Sequence, residues 1–362
     1  MKISFFLGGL SGGGSERVVC NLANYLVSHE HEVDIITMGD DNSFGLNEKI
    51  HRITLLYNQE RRNIVFNSVI RLFRLVGYLH KHKKNTFVVM LPTTTILLLR
   101  LRALVKGKII ASERSYPTNY SIKDQRQLRH VAKRADAWVF QTETTKSWYQ
   151  PYLADTQTVI IPNPINESFL RPVYRGERRK EIVTAGRLTK VKNHALLIEA
   201  FSRIANRHAD ATLKIFGDGA LLKTLKEQAE ALGVGNRVLL PGFMSWGEMS
   251  NDSAMFVLSS NLEGMPNALM EAMAMGLPCI STDCDGGGAR FLIEDGVNGL
   301  LVPKNDVDAM ADAMDKLLSD SELADKLGNE AHKICNQLAP EKIYAEWESY
   351  IISVVGNNKQ TI

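Results

Sequence analysis

Two cations and two acids, spread over two loops, have the residue types that could handle a phosphate-bearing ligand. "AGRLTKVKNH", residues 185–194, carries Arg187 and Lys192. A guanidinium can fork onto two phosphate oxygens, and an ammonium acts as a compact point charge. "FGDGA", residues 216–220, adds Gly217 in a second strand-to-glycine turn. "EGMPNALMEA", residues 263–272, sets Glu263 and Glu271 around Pro266. Pro is favoured at the first helical position, so Pro266 is expected to open a helix. The amides of Asn267, Ala268 and Leu269 would then lack helical partners at the positive end of the helix dipole, a seat for an anion. Glu263 would precede that seat and Glu271 stand a turn or more inside it. Each feature alone also has an ordinary reading: surface cations, a turn, helix acids in solvent.

What must position these residues is a sheet. Apolar, strand-like runs ("EIVTA", "ATLKIFG", "AMFVLSS") precede each loop, and helical runs such as "NHALLIEAFSRIANR" and "ALLKTLKEQAEALG" follow. The first half repeats the alternation, from "KISFFL" through "SERVVCNLANYLVSH", "EVDIITM", "TFVVML", "KIIASE" and "DAWVFQT". Further helices are expected from Ser245 and over "DVDAMADAMDKLLSD". Two successive α/β sets predict two doubly wound parallel sheets, with ligands at the carboxyl ends of the strands. The expected domains are residues 1–164 and 165–340, divided near "IIPNPINESF". Residues 341–362 are expected to form a helix that returns to the first domain. Two facing domains would hold the site in a central cleft.

The chain has 362 residues, 44% hydrophobic and 23% charged, in keeping with a soluble globular enzyme of two domains. Its four cysteines show no C-x-x-C spacing, which excludes a zinc ribbon and fits a reducing cytosol. "MKISFFLGGLSGGG" makes a poor signal peptide, and "TTTILLLRLRALV" is too short and too charged to span a bilayer. The net charge of +3 hides an asymmetry: residues 61–134 hold 17 Lys and Arg against only Glu113 and Asp124. Such a block calls for an anionic partner: nucleic acid, an anionic membrane surface or a phosphorylated substrate. A solvated basic face is the plain alternative. The stretch "RRNIVFNSVIRLFRLVGYLHKHKK" reads as an amphipathic helix, with Asn67, Arg71, Arg74, Tyr78 and Lys81 on one face. Ile64, Val65, Val69, Leu72, Phe73 and Val76 supply its apolar surface. That surface either packs on the sheet or lies in a bilayer interface.

Two further loops carry candidates. "LSGGGSER", residues 10–17, follows the first strand, and its Gly13 and Gly14 would let backbone approach a ligand. It matches neither a P-loop nor G-x-G-x-x-G. "DCD", Asp283 to Asp285, has the spacing of a divalent-metal pair, although it also leads directly into a glycine run.

Taken together, "GGSER", "GRLTKVKN", "FGDG" and "EGMPNALMEAMAMGLPCIST" resemble the retaining glycosyltransferase family 4, of the two-domain GT-B fold, over nearly the whole chain. The resemblance implies that Arg187 and Lys192 hold a donor diphosphate, that Glu271 takes the ribose hydroxyls and that Glu263 faces the transferred sugar. The backbone from Met265 through Pro266 to Leu269, Gly217, and Gly13 with Gly14 would complete donor binding. Related chains carry a His after the acid in the segment matching "ASERSYP"; Glu113–Arg114 stands there here, so both become candidates for acceptor contact, with donor phosphate the alternative for Arg114. The basic first domain resembles members that extend undecaprenyl-diphosphate-linked glycans, with Arg71 and Arg74 near the lipid diphosphate.

The implied activity moves a hexose or N-acetylhexosamine from a UDP-sugar to such an acceptor, without a metal cofactor. Its place would be peripheral, on the cytoplasmic face of the membrane, in capsule, O-antigen or glycan assembly. A soluble transferase with a small-molecule acceptor is the second reading. A basic nucleic-acid-binding protein is the non-enzyme one, but no aromatic platforms are interleaved with the basic residues, and nucleic acid is not the expected partner.

Overall fold

The computed structural model describes residues 1–41, 43–154, 156–243 and 251–356. They form two compact units, Pro164–Pro340 and, apart from it, Met1–Asn163 together with the C-terminal segment from Glu341. The helix expected from Ser245 lies outside the described residues.

The first unit runs β1 (Lys2–Leu7), α1 (Gly14–Ser28), β2 (Glu32–Thr37), β3 (His51–Thr54), α2 (Ile64–Lys81), β4 (Thr86–Met90), α3 (Pro92–Arg100), β5 (Ile109–Ser112), α4 (Ile122–Val131), β6 (Ala137–Phe140), α5 (Glu143–Tyr149) and β7 (Gln157–Ile160). Its strands make one seven-stranded parallel sheet in the order β3-β2-β1-β4-β5-β6-β7. The central strands are continuous apolar runs because helices cover both faces. Neither edge strand has such a run: "HRIT" and "QTVI" lie half exposed, and so escape a search for apolar segments. One core cluster joins Phe6, Phe87, Ile109 and Trp138 of the sheet to Leu75 and Leu79 of α2, Leu98 of α3, Leu128 of α4 and Tyr149 of α5. These four helices therefore cover the same face.

The second unit runs β8 (Arg179–Ala185), α6 (His194–Ile204), β9 (Thr212–Phe216), α7 (Leu222–Ala231), β10 (Val238–Gly242), β11 (Ser253–Leu258), α8 (Asn267–Ala274), β12 (Cys279–Thr282), α9 (Gly288–Leu292), β13 (Leu300–Val302), α10 (Val307–Ser319), α11 (Ser321–His332) and α12 (Ile334–Gln337). Its six strands are parallel, in the order β10-β9-β8-β11-β12-β13. The last helix, α13 (Pro340–Gly356), belongs with the first unit. There His31 Nε2 meets Glu348 Oε1 at 2.7 Å, the Tyr350 hydroxyl donates to the Trp138 carbonyl at 3.3 Å, and Trp347 and Ile351 are fully buried.

In α2 the apolar surface does not pack on the sheet, the first of its two expected placements. Leu75 and Leu79 are its only buried residues. The polar face turns inward instead. Arg71 Nε donates to the Met38 carbonyl at 3.0 Å, and Arg74 forms a two-pronged pair with Glu60 at 2.6 and 2.7 Å. The Tyr78 hydroxyl bonds Asp34 and Ser4. Outward stand Ile64, Val65, Val69, Leu72 and Phe73, 43 to 85% exposed. The reason lies in distant segments: the carbonyls just past β2 and β3 and the acids Asp34 and Glu60 need donors, and Arg71, Arg74 and Tyr78 supply them.

Candidate functional site

Four loops meet at the carboxyl edge of the second sheet, and their own hydrogen bonds lock them together. The loop after β8 is tied to the loop after β9: the Gly186 amide donates to Phe216 and the Leu188 amide to Asp218, each at 2.9 Å. Gly217 makes the approach possible at φ +138°; a Cβ there would lie 2.0 Å from the Gly186 oxygen. The loop after β11 joins them through the Asn261 amide, which donates to Val191 at 2.8 Å, and through the Ser259 hydroxyl, which donates to Lys192 O at 3.0 Å. The loop after β12 closes the set, with the Glu263 amide donating to Asp285 at 2.9 Å and the Asp285 amide to Asn261 at 3.1 Å.

That lattice brings Lys192 and Glu263 into contact. Lys192 Nζ lies 2.5 Å from Glu263 Oε1, and the Ser260 hydroxyl donates to the same oxygen at 2.6 Å. No partner of Glu263 Oε2 is found among the described residues. The two side chains are 21 and 11% exposed, so the pair is only partly screened by water. Arg187 is exposed on the same loop as Lys192. Just behind them sits His194, 3% exposed at the start of α6. Burial, and then the charge of Lys192, push its imidazole down to about 4. It is therefore neutral at physiological pH and adds no charge to the site.

The helix start differs from the expected one. Pro266 is the cap of α8 and Asn267 its first residue. The Leu269 amide, expected to be open for an anion, donates to the Pro266 carbonyl at 3.1 Å. The Ala268 amide has no partner among the described residues. Met265 and Pro266 are buried, Asn267 and Ala268 half-buried, and Leu269 fully buried. Glu271, 4% exposed, lies in the buried body of the helix. Gly288, at the start of α9, lets the Gly264 turn come close: a Cβ there would be 1.9 Å from the Gly264 oxygen.

Asp283 is gripped by Arg290 at 2.7 and 2.8 Å, and Asp285 by Lys304 at 2.7 Å. Among the described residues no group of three or more His, Cys, Asp or Glu is placed to hold a metal ion.

In the first unit the expected contact residues already have partners within the protein. The Gly13 amide, with that of Gly12, donates to Glu16 Oε2 at 3.1 Å, so a capping carboxylate already occupies the turn where phosphate was expected; Gly14 is the first residue of α1. Glu113 is buried among hydrogen-bond donors. It is 3% exposed and takes the hydroxyls of Tyr120 and Tyr149 at 2.5 Å and the amides of Arg114 and Ser115 at 2.9 and 3.1 Å. Arg74 is paired with Glu60, and Arg71 Nε donates to the Met38 carbonyl, so each expected acceptor cation already has a partner within the first unit. Arg114 bonds Asn163, while its Nε and Nη1 are buried with no partner among the described residues, and burial pushes its guanidinium down to about 10.

Sequence reasoning missed Ser260, Asn261, Asn193 and Glu16, which hold the loops. Ser260, three residues before Glu263 in "SSNLEG", is the one with a readable signal: a hydroxyl within a turn of an acid.

Two family models match consecutive stretches of the chain: Glycosyltransferase Family 4 over residues 12–169 and Glycosyl transferases group 1 over residues 167–334. This chain is a family 4 glycosyltransferase. An uncharacterized glycosyltransferase of Haemophilus influenzae is 29% identical over 97% of this chain and 99% of that protein. A Campylobacter jejuni enzyme, the N-acetylgalactosamine-N,N'-diacetylbacillosaminyl-diphospho-undecaprenol 4-alpha-N-acetylgalactosaminyltransferase, is 27% identical over 97% of this glycosyltransferase and 99% of its own length. Among solved structures, sucrose-phosphate synthase from Thermosynechococcus elongatus matches with a TM-score of 0.84 at 18% identity, covering 99% of this chain and all of that one. Anabaena HepE, solved with UDP and glucose, matches at 0.83 and 18%, over 98% of this chain and all of its own. The glycosyltransferase thus has the GT-B fold, with a parallel-sheet, Rossmann-like domain in each unit.

Proposed function

We propose that the enzyme transfers a hexose or N-acetylhexosamine from a UDP-sugar to an undecaprenyl-diphosphate-linked glycan, with retention at the anomeric carbon. In this reading it works at the cytoplasmic face of a bacterial membrane, in the assembly of a surface polysaccharide or other glycan. The observation that carries it is the Lys192–Glu263 contact at 2.5 Å, held by four interlocked loops at one sheet edge. Arg187 and Lys192 would hold the donor diphosphate, and Glu263 the transferred sugar. The Ala268 amide, the Met265–Pro266 backbone and Gly217 would line the donor, and Glu271 would take the ribose.

The bond from the anomeric carbon to the β-phosphate oxygen breaks while a bond to the acceptor oxygen forms on the same face of the sugar. The acceptor proton passes to the departing phosphate oxygen. Catalysis then consists of stabilising charge on that phosphate, which preorganised cations do without further rearrangement. The Lys192–Glu263 pair suits this: the acid keeps the ammonium in place until the diphosphate arrives to share it. The pairing of Asp283 and Asp285 with Arg290 and Lys304 supports activity without a divalent metal.

The acceptor class leans on the Campylobacter relative, matched end to end, and the donor nucleotide on HepE, solved with UDP. Transfer from a panel of radiolabelled nucleotide-sugars to undecaprenyl-diphosphate oligosaccharides, with and without EDTA, tests both. Label should enter the lipid fraction from one UDP-sugar and persist in EDTA. Label entering only a water-soluble acceptor would sink the lipid assignment. Glu271→Ala should raise the donor KM, and an unchanged donor KM would remove Glu271 from the site.

A further inference from the structure

We infer that Ser260 keeps Glu263 aimed at the transferred sugar once the donor diphosphate draws Lys192 away, a positioning role rather than a catalytic one. The inference deepens the donor-site reading and rests on it. Among the described residues two groups reach the Glu263 carboxylate, the Lys192 ammonium at 2.5 Å and the Ser260 hydroxyl at 2.6 Å, and both take Oε1. Oε2 is the oxygen left to meet a ligand. An ionised carboxylate only accepts hydrogen bonds, so its partner there must be a donor, such as a sugar hydroxyl. Ser260 itself is 0% exposed and touches no sugar.

The two donors on Oε1 differ in what a diphosphate does to them. Lys192 is a point charge on a flexible stem, and a diphosphate competes for it with more than one negative charge. As the ammonium turns to share that charge, its bond to Oε1 weakens. With no second donor, Glu263 would be a largely buried carboxylate lacking any protein hydrogen bond, free to turn about its broad terminal torsion. Ser260 is fixed where Lys192 is not. Its carbonyl accepts from the Thr282 hydroxyl at 2.5 Å, and Thr282, the last residue of β12, is fully buried. Further along the same loop, the Asn261 and Glu263 amides are tied to Val191 and Asp285. Buried and neutral, the Ser260 hydroxyl stays on Oε1 when the cation leaves.

The neighbouring serine acts on the other member of the pair. The Ser259 hydroxyl donates to the Lys192 carbonyl at 3.0 Å, so the backbone of Lys192 keeps its place while the side chain moves. Two adjacent serines just past β11 thus hold the base of the cation and the head of the acid. Capture of the phosphate and reading of the sugar, which the ion pair alone would couple, become separate tasks.

Steady-state transfer and UDP calorimetry on the full chain test the inference, comparing Ser260→Ala with the parent. With the UDP-sugar, kcat should fall about 10- to 100-fold, the loss expected for a hydrogen bond to a charged group, while UDP, which lacks the sugar, should bind with affinity within about twofold of the parent's. In a Glu263→Ala background the same substitution should change kcat by less than about twofold, because its effect runs through that carboxylate. An unchanged kcat in Ser260→Ala would overturn the inference. So would an equal loss in both backgrounds, or UDP affinity and thermal midpoint falling together with kcat, since Ser260 would then only hold up the loop. The two readings fail separately. A parent that turns over no UDP-sugar removes the donor-site reading and the inference with it. A parent that turns one over, and is matched by Ser260→Ala, removes the inference alone.

Discussion

Lys192 and Glu263 hold each other at 2.5 Å, and Ser260 braces the same carboxylate oxygen. Removing one member leaves the other partly buried and unpaired, so Glu263→Ala should cost about 1.5–3 kcal/mol of transition-state stabilisation. That corresponds to a drop in kcat/KM of roughly 10- to 150-fold. Because the pair acts as a unit, Lys192→Met/Glu263→Ala should fall far less than the sum of the singles. Strict additivity in a double-mutant cycle would show that the contact is incidental. His194 yields a prediction about pH. Its folded pKa is lowered to about 4 from an ordinary 6.5. The unfolded chain thus binds the proton first as pH falls, and stability declines from about pH 6.5 down to about 4, on the order of 3 kcal/mol in all. Urea midpoints at pH 7 and pH 5 should converge in His194→Gln relative to the parent. An identical pH dependence in both proteins would remove His194 as the cause.

Elements meet in this protein through backbone, and that is where they are least tolerant. The start of α9 touches the turn before α8 so closely that a Cβ on Gly288 would lie 1.9 Å from the Gly264 oxygen and 2.7 Å from Pro266 Cδ. A methyl there must push back the loop that carries Glu263. Gly288→Ala should destabilise the fold by about 1–3 kcal/mol and weaken UDP-sugar binding together. Loss of stability with unchanged donor affinity would separate that turn from the site. At the start of α1, Glu16 bonds the amides of Gly12 and Gly13 and fills the turn by itself. The glycine-rich run there satisfies a helix end, a use that residue types alone do not distinguish from phosphate binding.

At the scale of the molecule, the chain leaves its first unit at Asn163 and returns to it at Glu341. Helix α13 buries Trp347, Ile351, Ile343 and Val354 there, and Glu348 answers His31. A chain ending at Pro340 would expose that apolar surface, at about 1.5–3 kcal/mol for each large side chain left without cover. Such a truncation should aggregate or lose its cooperative melt, whereas Glu348→Ala should cost only about a few kcal/mol. A truncated chain that melts like the parent would show α13 to be dispensable.

What the residues alone determined was the sheet-and-helix order of both halves, together with the loops of the second one. Continuous apolar strands and 3.6-residue periodicity are local signals, and the loops "GRLTKVKN" and "EGMPNALMEA" fall at strand ends whatever the neighbours do. The edge strands β3 and β7 were not legible, because a half-exposed four-residue strand acquires its identity from the strand it pairs with. Nor was the direction in which α2 faces. Its pattern specifies two faces but not which one meets the protein, and that depended on the β2 and β3 carbonyls and on Asp34 and Glu60, far away in the chain. Glu113 shows the same limit. The resemblance marks its position for acceptor contact, and only the fold reveals that Tyr120 and Tyr149 close over its carboxylate and bury it. Periodicity is written in near neighbours, whereas hydrogen-bond satisfaction is settled only when distant segments meet.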